Sequence, residues 1–239
     1  MDLALLLASL LCCAEPAVPI EETSTLPVAT QWRALEATPR MRVGERSTGT
    51  AVVVGREKNF LYLLTADHAT DGPDTTVLFF EFFAENDRTK PSFIIRGAKA
   101  VVRKPVADFA LLQVAVDLKQ DVAVLQLAPP EPKMKRYPFE AFSIGCSLTD
   151  TPTGLKETIL GKRLAVRKED AVAFFWQAEK SQARGRSGGP LLNTAGQIIG
   201  ICAANSLEKG YYVHLSEIHA SLKAEGYDWL WKGVSAKTK

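Results

Sequence analysis

Short apolar runs rich in Val, Ile, Phe and Leu recur along most of this chain, separated by clusters of Gly, Pro, Asn and Asp. Runs this short suit strands, since a helix is recognised over about ten or more residues of 3.6-period patterning. Long amphipathic helical patterns are nearly absent. The chain is therefore constrained to an all-β sandwich or barrel.

The runs fall into two sets. Six cover 50–54, 60–65, 76–83, 93–95, 98–102 and 109–116, with turns at 55–59 and 85–88. Residues 126–138 then carry four prolines and the basic cluster Lys133, Lys135 and Arg136, a composition that reads as a linker unable to join a ladder. Six further runs cover 141–146, 156–166, 172–177, 190–192, 197–203 and 210–215.

The expected organisation is a first unit over 41–118, a linker over 119–138, a second unit over 139–215, a helix over 216–225 and a tail over 226–239. In that helix Ile218 and Leu222 share a face at i,i+4, and Gly226 stands at the stop position. The aromatic tail with Tyr227, Trp229 and Trp231 is expected to cap the second unit. Residues 15–40, rich in Pro, Thr and Glu, are expected to form a flexible lead-in, apart from a short helix over 31–37.

Composition excludes some partners. A chain of 239 residues with 46% apolar and 23% charged residues and a formal net charge of +2 is ordinary for a globular protein and points to no nucleic-acid partner. Residues 3–14 form an apolar run too short for a bilayer span of roughly 20 residues, but of the length of a signal-peptide core. Small residues at Cys12 and Ala14 precede the polar Glu15, so 1–14 is read as a signal peptide and the protein as exported to a periplasm or the exterior. Asp2 departs from that pattern, which favours a positive charge near the start.

After such a cleavage only Cys146 and Cys202 remain, which permits at most one bridge. Buried free thiols are the default and a bridge stays open, since sequence does not give the Cα separation. The three histidines do not cluster with cysteines at ligand spacing, so neither a metal nor a cofactor is expected.

Three local texts carry chemistry. Gly185-Arg186-Ser187-Gly188-Gly189-Pro190 brackets one serine with glycines. A serine hydroxyl is a weak nucleophile, so it must stand on a tight turn beside a base, with backbone N–H groups free to bind an oxyanion. Taken alone, the stretch also admits the reading of a glycine-rich hairpin turn, though less well. Leu64-Thr65-Ala66-Asp67-His68 places a histidine, the natural general base, at the end of an apolar strand. Asp108-Phe109-Ala110-Leu111-Leu112 sets a carboxylate against a strongly apolar strand, where burial is costly unless it is paired. An imidazole N–H would satisfy it.

These texts, in the order His, Asp, Ser, resemble the trypsin-like serine proteases of the chymotrypsin fold. The likeness is strongest to the bacterial branch that includes the heat-shock-type periplasmic proteases, and it covers about residues 41 to 225. The resemblance implies two six-stranded antiparallel β-barrels with a short C-terminal helix, and His68, Asp108 and Ser187 as a catalytic triad in the cleft between them. It further implies an oxyanion hole from the backbone N–H groups of Gly185 and Ser187, and polypeptide substrates. With few residues after the helix, the extra peptide-binding domain of the heat-shock-type relatives is not expected.

Departures from the family also matter. Arg186 stands where zymogen-activated relatives carry an Asp that pairs with a new N-terminus, so activation by amino-terminal cleavage is not expected. Asp67 is read as a solvated loop charge. Ser181, six residues before Ser187, falls at the expected base of the primary specificity pocket, with Ala203, Ala204 and Asn205 as its wall. No acidic residue stands at those positions, so small or medium apolar P1 residues are expected.

Two other classes fit parts of the same residues. A catalytically impaired peptide-binding or regulatory module shares the fold and is favoured by Arg186. An α/β acyl hydrolase matches Gly-x-Ser-x-Gly literally at 185–189, but the chain order and the missing helices argue against it.

Overall fold

Strands β2 (Arg46–Glu57), β3 (Phe60–Thr65) and β7 (Phe109–Ala115) are apolar on both faces, and the period of two along a strand sorts their side chains into two cores. Ala51, Val53, Leu61, Leu63, Ala110 and Leu112 point into one cluster; Val52, Val54, Leu64, Phe109 and Leu111 point into another that runs on into the second half of the chain. A one-residue slip in register would exchange the two sets, so the pairing Leu63 with Leu112 is strongly specified.

The computed structural model describes residues 26–70, 72, 74–130, 136–147, 151–166 and 171–232. The expected signal peptide lies outside the described residues. The remaining strands of the first half are β1 (Arg40–Val43), β4 (Leu78–Phe82), β5 (Phe93–Arg96) and β6 (Lys99–Lys104). They form one seven-stranded antiparallel sheet in the order β5-β4-β1-β2-β3-β7-β6. The second half closes into a six-stranded barrel of β8 (Phe139–Cys146), β9 (Pro152–Val166), β10 (Val172–Ala178), β11 (Pro190–Leu192), β12 (Ile198–Ser206) and β13 (Lys209–His214), in the order β10-β13-β12-β11-β8-β9. Closure leaves that sheet without a free edge. The fold is all-β and chymotrypsin-like.

The first unit has seven strands where six were expected, because β1 hides its signal. It reads Arg-Met-Arg-Val, and only Met41 is fully buried. Arg40 and Arg42 both bond Glu81 on the neighbouring β4, at 2.6 and 3.0 Å, so the strand's charges are met only once the sheet exists.

Three further expectations are corrected. From Leu26 onward the lead-in is docked, not flexible: α1 (Val28–Glu36) buries Ala34 and Leu35, and Val53 N–H donates to the Ala37 carbonyl at 2.9 Å. Pro and Thr mask this because the anchoring uses few apolar side chains plus backbone bonds. The linker also pairs. Leu127 makes a parallel bridge to Ile198, and the buried Leu125 donates its N–H to Val53 at 3.0 Å. The prolines that read as a block on pairing begin only at Pro129.

The C-terminal helix α2 (Leu215–Ala224) buries Ile218 and Leu222, and His214 Nδ1 caps its first turn by accepting from Ser216 N–H at 3.0 Å. The chain then turns at Gly226, which has a left-handed φ of 79°. A last helix, α3 (Trp229–Lys232), packs on the first unit and not only the second: a Cβ on Gly55 would meet Leu230 Cδ2 at 2.3 Å, and the Trp229 ring lies edge-on to Tyr62 at 5.2 Å. His219 is buried, its ring centroid 4.4 Å from that of Trp231.

Candidate active site

His68 enters the site on a single 3-10 turn, Asp67–Thr70, that follows β3. The turn is held from behind by Arg103 on β6. Its Nε bonds Asp67 Oδ1 at 2.7 Å, its Nη1 bonds the Gly72 carbonyl at 2.9 Å, and its Nη2 bonds Thr70 Oγ1 at 3.1 Å. Asp67 is thus a buried structural acid and not a solvated loop charge. Its partner lies 36 residues away in the chain, on β6.

Asp108 stands at the start of β7 with φ of 60°, a left-handed conformation that Asp tolerates better than most residues. Its carboxylate is buried and receives His68 twice. The backbone N–H of His68 donates to Oδ1 at 3.1 Å, and His68 Nδ1 lies 2.8 Å from Oδ2. With Nδ1–H facing the carboxylate, the imidazole presents a lone pair at Nε2. That atom lies 3.1 Å from Ser187 Oγ. Side chains at 68, 108 and 187 therefore converge, the first two from the first unit and the third from the second.

The loop carrying Ser187 is fixed by Thr50 of β2. Thr50 N–H donates to the Ser187 carbonyl at 2.8 Å, and its hydroxyl donates to the Gly185 carbonyl at 2.7 Å. Gly188 has φ of 88°, and a Cβ there would lie 2.0 Å from the Thr50 carbonyl oxygen, so the position admits only glycine. The amides of Gly185 and Ser187 have no hydrogen-bond acceptor among the described residues. Donors left open beside a serine hydroxyl can receive developing negative charge.

Arg186 turns inward and is 1% exposed. Its Nη1 donates to the Gly145 carbonyl at 3.0 Å and to both oxygens of Thr153, and its Nη2 donates to Ser143 Oγ at 3.1 Å. Ser143 in turn donates to Oε1 of Glu157 at 2.7 Å.

The specificity-pocket residues are placed less simply. Ser181 is exposed, and the buried side chain is that of its neighbour Gln182, whose Nε2 donates to Glu157 Oε1 at 2.9 Å. Asn205 clamps that neighbour at both backbone groups, accepting from Gln182 N–H and donating to its carbonyl, each at 2.7 Å. Ala203 is buried and Ala204 half-buried on the same strand. Tyr212 donates its hydroxyl to Glu157 at 3.1 Å, and burial, together with that carboxylate, pushes the phenol well above its ordinary pKa. A buried acid thus lies beside residues expected to line a pocket, although none stands at the expected pocket positions themselves. Its signal was unreadable because it sits mid-strand in β9, far from the serine text.

Cys146 and Cys202 are free and buried. Burial pushes each thiol up to about 12, so neither offers a thiolate nucleophile near neutral pH. Among the described residues no group of three or more His, Cys, Asp or Glu side chains could hold a metal ion, and no helix is long and apolar enough to cross a membrane.

Two packed β units with an imidazole between a carboxylate and a hydroxyl at their junction define the architecture of a two-barrel peptidase. The chain belongs to the trypsin-like peptidase family, whose domain profile matches residues 49–201, and it is a serine-type peptidase, a hydrolase.

Solved structures agree on the fold. An inactive-form mutant of Rv3671c from M. tuberculosis aligns with a TM-score of 0.65 over 87% of this chain and 96% of its own, at 16% identity. The HtrA-type protease AlgW with a decapeptide aligns at 0.60 over 82% and 67% of the two chains, at 19% identity. The MamO protease domain from Magnetospirillum magneticum aligns at 0.60 over 79% and 96%, at 16% identity. No curated protein matches the chain in sequence.

Proposed function

We propose that the chain is an exported serine endopeptidase that cleaves polypeptides through an acyl-enzyme at Ser187. The observation that carries this reading is the position of His68, within 2.8 Å of Asp108 on one ring nitrogen and 3.1 Å of Ser187 on the other. His68 Nε2 takes the proton as Ser187 Oγ attacks the peptide carbonyl, then returns it to the leaving amine; water repeats the cycle on the ester. Asp108 holds the tautomer and stabilises the imidazolium. The amides of Gly185 and Ser187 receive the oxyanion, a donor set worth about 3 kcal/mol per group.

For P1 the proposal remains small or medium apolar residues. Glu157, the buried acid beside the expected pocket residues, is already engaged by three neutral donors, Ser143, Gln182 and Tyr212, with Arg186 bonded to Ser143. The run over 3–14 supports export, and Cys146 and Cys202 are read as free thiols.

Labelling with a fluorophosphonate tests the assignment. Rapid covalent labelling of the parent, abolished in Ser187→Ala, is expected. A folded parent that stays unlabelled would instead make the chain a peptide-binding module on this fold. A fluorogenic peptide panel reads P1, and strong preference for Lys or Arg would overturn that part.

A further inference from the structure

Arg186 is a buried guanidinium with no carboxylate within ion-pair distance among the described residues. Burying a cation without a counter-charge is costly, as is burying a carboxylate such as Glu157, which is 5% exposed. The two charges are joined through one hydroxyl. Arg186 Nη2 donates to Ser143 Oγ at 3.1 Å, and that oxygen passes its own proton toward Glu157 Oε1 at 2.7 Å. The relay is polar in one direction and leaves neither charge alone.

The relay has mechanical consequences for the loop. Arg186 is the residue between Gly185 and Ser187, so whatever fixes its side chain fixes the two amides beside it. Its Cα and Cβ press on Gly145 so closely that a Cβ there would lie 3.0 to 3.1 Å away. Its backbone closes the turn, with N–H donating to Ala183 at 3.3 Å and carbonyl accepting from Gly189 at 2.9 Å. Any rearrangement that withdraws the guanidinium leaves a cation without its buried partners and breaks its link through Ser143 to Glu157. The same Glu157 oxygen accepts from Gln182 and Tyr212, which ties the loop to the pocket wall.

Resting on the protease reading above, we infer that Arg186 and Glu157, coupled through Ser143, are positioning residues that hold the Gly185–Ser187 loop in its oxyanion-binding shape. The folded chain thereby carries its own buried counter-charge, and the loop needs no newly cut N-terminus to order it.

The test compares the parent with Glu157→Gln, Arg186→Lys, Arg186→Met and Ser143→Ala, using a fluorophosphonate whose phosphoryl oxygen enters the oxyanion site. Both the affinity step and the maximal labelling rate are measured and normalised to the folded fraction from thermal melts. The expected result is a fall in maximal rate of about ten- to a hundredfold in Glu157→Gln and Arg186→Met, with the affinity step within about twofold. Arg186→Lys should recover part of the loss, which a purely space-filling role would not allow.

Parental rates in the folded Glu157→Gln protein would overturn the inference while leaving the protease reading intact. Losses accounted for wholly by a smaller folded fraction would also overturn it. If Glu157→Gln does not fold, Ser143→Ala carries the same readouts, because it breaks the relay and removes no charge. A folded but unlabelled parent would sink the protease reading, and this inference with it.

Discussion

The Thr50 hydroxyl donates to the Gly185 carbonyl at 2.7 Å, joining β2 of the first unit to the loop that carries Ser187 in the second. The same oxygen accepts from Cys146 N–H at 2.9 Å, while the Thr50 carbonyl accepts from Thr65 Oγ1 at 2.7 Å. One fully buried side chain thus sets how the His68 strand and the Ser187 loop face each other. Thr50→Val keeps the shape and removes the hydroxyl, leaving the half-buried Gly185 carbonyl and the buried Cys146 amide unpaired. A stability loss of about 1–3 kcal/mol is expected, with a larger proportional drop in fluorophosphonate labelling than in folded fraction. Equal drops in the two would show that Thr50 supports the fold alone.

Gly188 offers a sharper contrast. Its φ of 88° and the 2.0 Å approach to the Thr50 carbonyl mean that Gly188→Ala must push the loop off its seat. Gly44 also has positive φ, 57°, but open space around it. Gly44→Ala should cost about 1 kcal/mol of backbone strain, whereas Gly188→Ala should cost several and remove labelling. Thermal melts of the two variants compare these costs directly.

The legible part of this protein is the part whose chemistry is dense in short texts. His68 follows an apolar strand, Asp108 opens one, and Ser187 is bracketed by glycines, so each carries its context with it. The two sets of strand runs were equally local, because strands buried on both faces read as continuous apolar stretches. Thr50, Arg103 and Glu157 were silent for the opposite reason. Their partners lie across strand registers and the unit boundary, and a threonine, an arginine or a glutamate within a polar stretch of strand looks like solvated surface until its neighbour is known. β1 escaped notice likewise, since Glu81 explains Arg40 and Arg42 only when β4 lies alongside.

Arg103 is predicted to govern how firmly His68 is held. It makes no bond to the imidazole, yet it pins both ends of the turn through Asp67, Thr70 and Gly72. Arg103→Met leaves Asp67 as a buried acid without its cation, for a loss of about 3 kcal/mol or more. Arg103→Met combined with Asp67→Asn removes both charges and should recover part of that loss. A double-mutant cycle on stability and labelling rate tests this, and strictly additive effects would contradict the coupling.

His219 predicts an acid weakness remote from the site. Burial lowers its pKa from the ordinary 6.5 to about 4, against a smaller opposing pull from the Ala128 backbone, and Nε2 has no hydrogen-bond partner among the described residues. The folded protein therefore binds this proton less well than the unfolded chain. The stability it protects is present in full above about 6.5 and is lost progressively as pH falls from 6.5 toward 4, where the folded ring begins to charge. His219→Phe keeps a ring against Trp231 and removes the titration. Melting temperature should fall less between pH 7 and pH 5 in His219→Phe than in the parent, and identical slopes would refute the assignment.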